Sequence, residues 1–212
     1  MNQIKEMEDL FYPKSPKVKA MYDAVLDMVN ERYSFSQIKV SDITSRAGIG
    51  KGTAYEYFSS KEEIVVKAVL YNIYYNMHRM EGVLSGEGSF EEKFYRILDF
   101  MEDNMEPLRY TTELLRGKCE TIHKKLPMDE ERFKIVQAQV KAYVNGVADR
   151  YMETGMQENC FTQSNVILRR NTLYTAILGY FVYLTNDYYD GDISREEARR
   201  FTYQGMIATL SQ

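Results

Sequence analysis

The chain reads as an all-α protein of about nine helices, a small three-helix head followed by a larger helical-bundle body. Three observations lead there. No stretch of the 212 residues alternates apolar and polar side chains as a half-buried strand would. Apolar residues instead recur at three-to-four spacing through most of the chain. The breaks between these runs carry helix punctuation: Ser15-Pro16, the Gly-rich Ser85 to Gly88, Pro107, Pro127, and Asp190-Gly191-Asp192.

Residues 1–14 read as a loose arm. Ser15 caps and Pro16 starts a first helix running to about Tyr33, with Val18, Met21, Val25, Met28 and Val29 on one face. Ser41 to Ala47 forms a short second helix, ended by Gly48 where a left-handed backbone position is needed. Ile49 anchors the turn, and Lys51 to Phe58 forms the third helix. Two helices joined by a glycine-containing turn of three or four residues are a helix-turn-helix, here with small Ala47 letting the helices approach and Ile43, Ile49, Ala54 and Phe58 as the miniature core. Ser60 and Glu63 have capping-box spacing and open a fourth helix to about Leu84.

The body continues with an amphipathic helix from Phe90 to Asn104, carrying Phe94, Ile97, Leu98 and Met101 on one side. A shorter helix follows from Pro107 to about Gly117, and a long one from Pro127 to about Met156. The eighth spans about Ser164 to Tyr188. The ninth runs from Ser194 to Leu210 behind a second box, Ser194 with Glu197. The expected division is an arm at 1–14, a head at 15–60 and a body at 61–212.

The third helix is odd for a purely structural element. Its first turn, Gly50-Lys51-Gly52-Thr53, has no carboxylate, two poor helix formers, and a cation near the positive end of the helix dipole. That arrangement opposes local stability by a few tenths to about 1 kcal/mol. It makes sense if an incoming anion such as phosphate satisfies the open amides. Thr53, Tyr55, Tyr57 and Lys61 add hydroxyl and ammonium donors, the kind of array that sits on a sugar-phosphate backbone and reaches into a groove. A helical hairpin with solvated lysines is the plainer alternative.

Ala47-Gly48-Ile49-Gly50-Lys51-Gly52-Thr53-Ala54-Tyr55-Glu56-Tyr57-Phe58-Ser59-Ser60-Lys61-Glu62-Glu63-Ile64 resembles the DNA-binding signature of the TetR family of bacterial transcriptional regulators. The likeness covers about Val18 to Val69. It implies base-edge contacts from Lys51, Gly52, Thr53 and Tyr57, and backbone contacts from Tyr55, Lys61, Lys39 and Ser41. Two positions depart from the family pattern: Gly50 stands where a serine cap is usual, and Lys39 where threonine is usual.

The resemblance further implies a palindromic double-stranded DNA operator, a homodimer through the last two helices, and a small-molecule inducer in the body. The residues themselves agree with the dimer. Leu173 to Leu184 is apolar nearly all round, and Ala198, Phe201, Gly205 and Ala208 form a mostly small face, though an internal core hairpin would use the same pattern. A two-fold pair of short helices reads half-sites about 34–36 Å apart or a multiple of that. In the family the inducer cavity is lined from the body helices, which here carry Tyr71, Tyr74, Tyr75, Phe94, Met101, Tyr110, Tyr143 and Tyr174. Tyrosine-rich walls suit a flat or lipophilic ligand. The implied function is a repressor released from its operator by such a ligand. The alternative is a DNA-binding factor whose body docks another protein.

Other classes find less support. Gly48 to Thr53 fails the Walker pattern, since Gly52 follows Lys51 and Ser45 occupies the first glycine position. No strand precedes those glycines, so the dinucleotide fingerprint fails too. Cys119 and His123 are four apart, but two ligands define no metal site. No catalytic set assembles, and no cofactor is expected. The charge divides unevenly: between Pro13 and Lys61 eight basic residues face five acidic ones, a net +3 that leaves −7 elsewhere against the overall −4. A basic head on an acidic body suits DNA held at one end. Two cysteines, no signal-peptide pattern at the start, and a longest apolar run too short for a membrane point to a cytoplasmic protein, nucleoid-associated when bound.

Overall fold

In the computed structural model, residues 12–34, 36–105, 130–185 and 193–212 are described. Within them the chain forms eight helices and no strand: α1 (Pro16–Asn30), α2 (Val40–Arg46), α3 (Lys51–Tyr57), α4 (Lys61–Ser85), α5 (Phe90–Asp103), α6 (Glu130–Gln157), α7 (Val166–Thr185) and α8 (Arg195–Leu210). The fold is all-α, a helix-turn-helix head with a helical body. The expected helix from Pro107 and the Asp190-Gly191-Asp192 break lie outside the described residues, as do Cys119 and His123. Two compact units emerge: described residues up to Met77 with 130–139, and His78 to Met105 with 140–185 and 193–212. The division falls inside α4 and inside α6.

In the first unit, Ser15 caps α1 by accepting from the Val18 N–H at 3.2 Å, and Pro16 supplies a preset φ. Val18, Met21, Val25, Met28 and Val29 are buried as their spacing predicts, and Tyr22 joins them. The helix stops at Asn30, three residues before the expected end. Arg32 takes φ 66°, its N–H donates to the Val29 carbonyl, and the Tyr33 N–H donates to that of Met28. This is a Schellman stop built on arginine, a residue that pays about 1–2 kcal/mol for a left-handed backbone. The same device ends α2 on Gly48 (φ 65°), with Gly48 N–H on Ser45 and Ile49 N–H on Thr44. Arg46 then pins the end of α2 to the end of α1 through a two-pronged pair with Glu31 at 2.6–2.7 Å. Ile38, Ile43, Ala54 and Phe58 close the core against Ile64, Val65 and Ala68 of α4, while Ala47 and Ile49 pack at its margin.

In the second unit, α5 begins with a complete capping box, Ser89 with Glu92. The Glu158 carboxylate adds to it, accepting the Phe90 N–H at 2.9 Å. The Phe90 ring stacks on Tyr151 at 4.5 Å and meets Phe161 edge-on. Gly155 makes that packing possible, for a Cβ there would lie 2.5 Å from Phe161 and 2.9 Å from Phe90. The α6 helix ends in a third Schellman stop, on Asn159 (φ 57°). Arg170 grips Asp149 of α6 at 2.6–2.8 Å, and Arg169 reaches Glu153 at 3.3 Å. Asn165, rather than Ser164, caps α7, accepting from the Ile167 and Leu168 N–H groups. The Ser194–Glu197 box forms as predicted and starts α8. A polar clasp joins α5, α7 and α8: Glu102 accepts from Tyr180 Oη at 2.5 Å and from Arg199 at 3.1 Å.

Candidate nucleic-acid interface

The seven-residue helix α3 is held by a minimal inner face. Only Ala54 within it is buried, and Phe58 just beyond, where the backbone turns extended (φ −137°, ψ 139°), supplies the anchoring ring. Everything else on α3 is turned outward or sits at the rim. Lys51, Gly52, Glu56, Tyr55 (52% exposed) and Tyr57 (41%) are exposed, and Thr53 is half-buried. Two tyrosines this open on so short a helix leave its outer face free for contacts.

The turn into α3 gives its amides no side-chain partner at the cap. Gly50 is the N-cap, with extended backbone and no side-chain hydrogen bond, and no acid lies in the first turn. Neighbouring elements add further donors. Lys39, the equally capless start of α2, and Ser41 beside it are exposed, the Ser41 hydroxyl donating to Asp42 at 3.2 Å. Lys61 is half-buried at the start of α4. All eight residues assigned to DNA from the sequence therefore fall on α3 or the starts of α2 and α4. Phe58, the ring expected in the core, is buried, whereas Tyr55 is not.

Some of the head's positive charge is spent internally. Arg46 is paired with Glu31, and its guanidinium also lies 5.6 Å over the Tyr33 ring. The hydrogen bond from Arg46 holds the Glu31 carboxyl below its ordinary value. Lys19 likewise binds Asp23 at 2.7 Å.

The residues assigned to a ligand cavity divide between the units. Tyr71 and Tyr74 are buried in the first. The Tyr71 ring lies among Tyr12, Tyr22 and Tyr75 at 5.7–6.1 Å, and Tyr75 is half open to solvent. Phe94 and Met101 are buried in the second, Phe94 against Tyr203 at 5.5 Å. Tyr143 donates to Glu81, and Tyr174 donates to Asn145 at 2.9 Å. Tyr110 lies outside the described residues. Among the described residues no group of three or more potential ligands is arranged to hold a metal ion, and no helix is long and apolar enough to cross a membrane.

Comparison with known proteins bears directly on the head. Residues 29–68 match the model of a family described as bacterial regulatory proteins, tetR family, a stretch that contains α2, α3 and the start of α4. The head is thus similar to that family over residues 29–68. Across 123 residues it is 29% identical to a fatty acid metabolism regulator protein of Bacillus subtilis, a match covering 49% of this chain and 63% of that relative. The chain thus spans less than two thirds of the length of that relative. Two solved structures share its fold. One is the transcriptional regulator FadR from Bacillus subtilis in complex with stearoyl-CoA, with TM-score 0.57 and 19% identity over 91% of this chain and 97% of that one. The other is a TetR/AcrR-family regulator from Thermobifida fusca, with TM-score 0.62 and 17% identity over the same shares. All three are regulators by name.

Proposed function

We propose that this chain is a sequence-specific DNA-binding transcription regulator of the TetR family. It works as a homodimer and releases its operator when a small lipophilic ligand binds. One observation carries the reading: a seven-residue helix that buries a single side chain and turns a lysine, two tyrosines and uncapped amides to solvent. Lys51, Gly52, Thr53 and Tyr57 contact base edges, and Lys39, Ser41, Tyr55 and Lys61 contact the sugar-phosphate backbone. The arm is 1–14, the head 15–60 and the body 61–212, in a cytoplasmic protein that joins the nucleoid when bound.

Dimerisation through α7 and α8 is supported by the apolar side chains those helices leave in water. Leu178 is 61% and Phe201 79% exposed, and Ile167, Leu168 and Val182 are exposed beside them. Apolar exposure of that kind on two neighbouring helices suits an association surface. A second copy would also cover the outer sides of the Leu173–Leu184 run. For the ligand, the B. subtilis relative's name and the stearoyl-CoA in its FadR structure favour a fatty-acyl compound. Ligand acts only through its different affinities for operator-competent and operator-incompetent conformers, about 2.7 kcal/mol for a hundredfold preference.

Genome-wide mapping of bound DNA, followed by titration of a recovered duplex with and without fatty acyl-CoA, tests both halves. Recovery of a palindromic site released by an acyl-CoA supports the full reading. A recovered site indifferent to every acyl compound shifts the body toward docking a protein partner. Failure to enrich any sequence overturns the reading.

A further inference from the structure

We propose that Glu63 is a positioning residue: its buried carboxylate clamps the link after the recognition helix and makes α3 and α4 turn as one piece. This rests on the DNA-binding reading above.

The sequence presents Glu63 only as half of a capping box with Ser60. The Ser60 hydroxyl does accept the Glu63 N–H, at 3.2 Å. The carboxylate, however, reaches one residue past the helix. Its Oε2 accepts both the backbone N–H of Ser59 at 2.7 Å and the Ser59 hydroxyl at 2.8 Å. Its Oε1 accepts Lys67 Nζ at 2.7 Å. An ordinary box would return to the cap residue itself. Here the carboxylate holds residue 59, the middle of the three-residue link between α3 and α4.

The surroundings close the clamp. Lys67, drawn over by Glu63, places its ammonium 5.4 Å from the Phe58 ring. Phe58 also meets Tyr22 of α1 at 6.0 Å, and Tyr22 meets Tyr71 of α4 at 5.7 Å. Glu63 is 8% exposed, so its charge stands only because three donors satisfy it. A helix of seven residues has almost no stability of its own. With Ala54 its single buried residue, the aim of α3 depends on how residues 58 and 59 are held. Side chains that read base edges tolerate little misplacement, whereas generic attraction to phosphates tolerates much. Loss of the clamp should therefore degrade specificity before it degrades nonspecific binding.

The test uses the full chain, a duplex recovered by mapping with the wild type, and a scrambled duplex of the same length and composition. Glu63→Ala is expected to lose about tenfold or more in affinity for the recovered duplex, and to leave the scrambled one within about twofold. Glu63→Gln, which keeps an acceptor oxygen for Ser59, should regain most of the loss. Amide exchange should quicken at Ser59 in Glu63→Ala and stay unchanged in the core of α1. Wild-type discrimination in Glu63→Ala overturns the proposal, as does equal loss on both duplexes with no recovery in Glu63→Gln. Should Glu63→Ala fail to fold, Ser59→Ala, which removes the hydroxyl donor, carries the same comparison, and full discrimination in it overturns the proposal. A wild type that binds no duplex defeats the DNA-binding reading instead, while the exchange measurement still reads the clamp.

Discussion

The two helices of the helix-turn-helix begin in the opposite way to α5 and α8 of the second unit. Ser89 and Ser194 start α5 and α8 with reciprocal boxes, and α5 receives the Glu158 carboxylate besides. Lys39 and Gly50 start α2 and α3 with no side-chain cap at all. A side-chain cap is worth about 0.5–2 kcal/mol, so the motif forgoes stabilisation that α1, α5 and α8 have. The contrast marks where folding and the proposed binding conflict: uncapped helix starts and outward tyrosines cost the isolated protein stability and would gain partners on a phosphate backbone. The first unit compensates elsewhere, through the Arg46–Glu31 pair, the Glu63 clamp and a continuous core from α1 to α4.

The comparison can be broken most forcefully at Phe58, the one large ring anchoring α3. Phe58→Ala should cost about 3–5 kcal/mol and appear as early melting of the first unit. If calorimetry shows an unchanged transition, α3 is held by something other than this core. The matching assault on the second unit is Gly155→Ala, whose methyl collides with Phe90 and Phe161. It should cost about 1–3 kcal/mol, and operator contacts would be untouched. A stable Gly155→Ala protein would mean that the stacked rings yield more readily than their spacing suggests.

Smaller effects sharpen the contrast. At Gly50 the backbone is extended and an added Cβ has room, its nearest neighbour being Thr53 Oγ1 at 4.0 Å. Gly50→Asp should raise thermal stability by about 0.3–1 kcal/mol through capping and the dipole. The same carboxylate should weaken operator binding. A gain in both properties would separate the open start of α3 from DNA.

Acid offers a comparison between the units. Burial alone would raise the Glu63 carboxyl, but hydrogen bonds from Lys67 and Ser59 outweigh it and leave it below the usual 4.5. A carboxyl lowered on folding adds stability above its unfolded value and gives it up as pH falls through the folded one. Melting of the first unit should hence be insensitive to pH from neutral down to about 4.5 and fall below that. In Glu63→Gln the fall should be shallower, with Glu31 supplying what remains. Parallel curves for the two proteins would remove Glu63 from the account.

Most of the head was legible because its signals are local. Gly48 announces the stop of α2, and the 18-21-25-28-29 spacing announces the buried face of α1. Three identical stops were not equally visible, however. Gly48 is a residue type that favours φ above zero, while Asn159 is only tolerant and Arg32 pays for it, so the ends of α6 and α1 left fainter marks. The Ser89 box hid behind a glycine run that already accounted for the break. Aromatic residues on the body helices were harder still: spacing puts Tyr71 on α4, but only the packed structure shows its ring committed to Tyr22 and Tyr12. Glu63 was seen as a cap because a cap needs three residues of sequence. Its grip on Ser59 needs the bend at Phe58, which no spacing reveals.

The most direct test is a salt-dependent titration of the wild type and Lys51→Ala against a mapped duplex and its scrambled counterpart. The wild type should prefer the mapped site and weaken steeply with salt, and Lys51→Ala should lose about 1–3 kcal/mol mainly on the mapped site. Identical curves for both proteins on both duplexes would contradict the assignment of α3 as the helix that reads DNA.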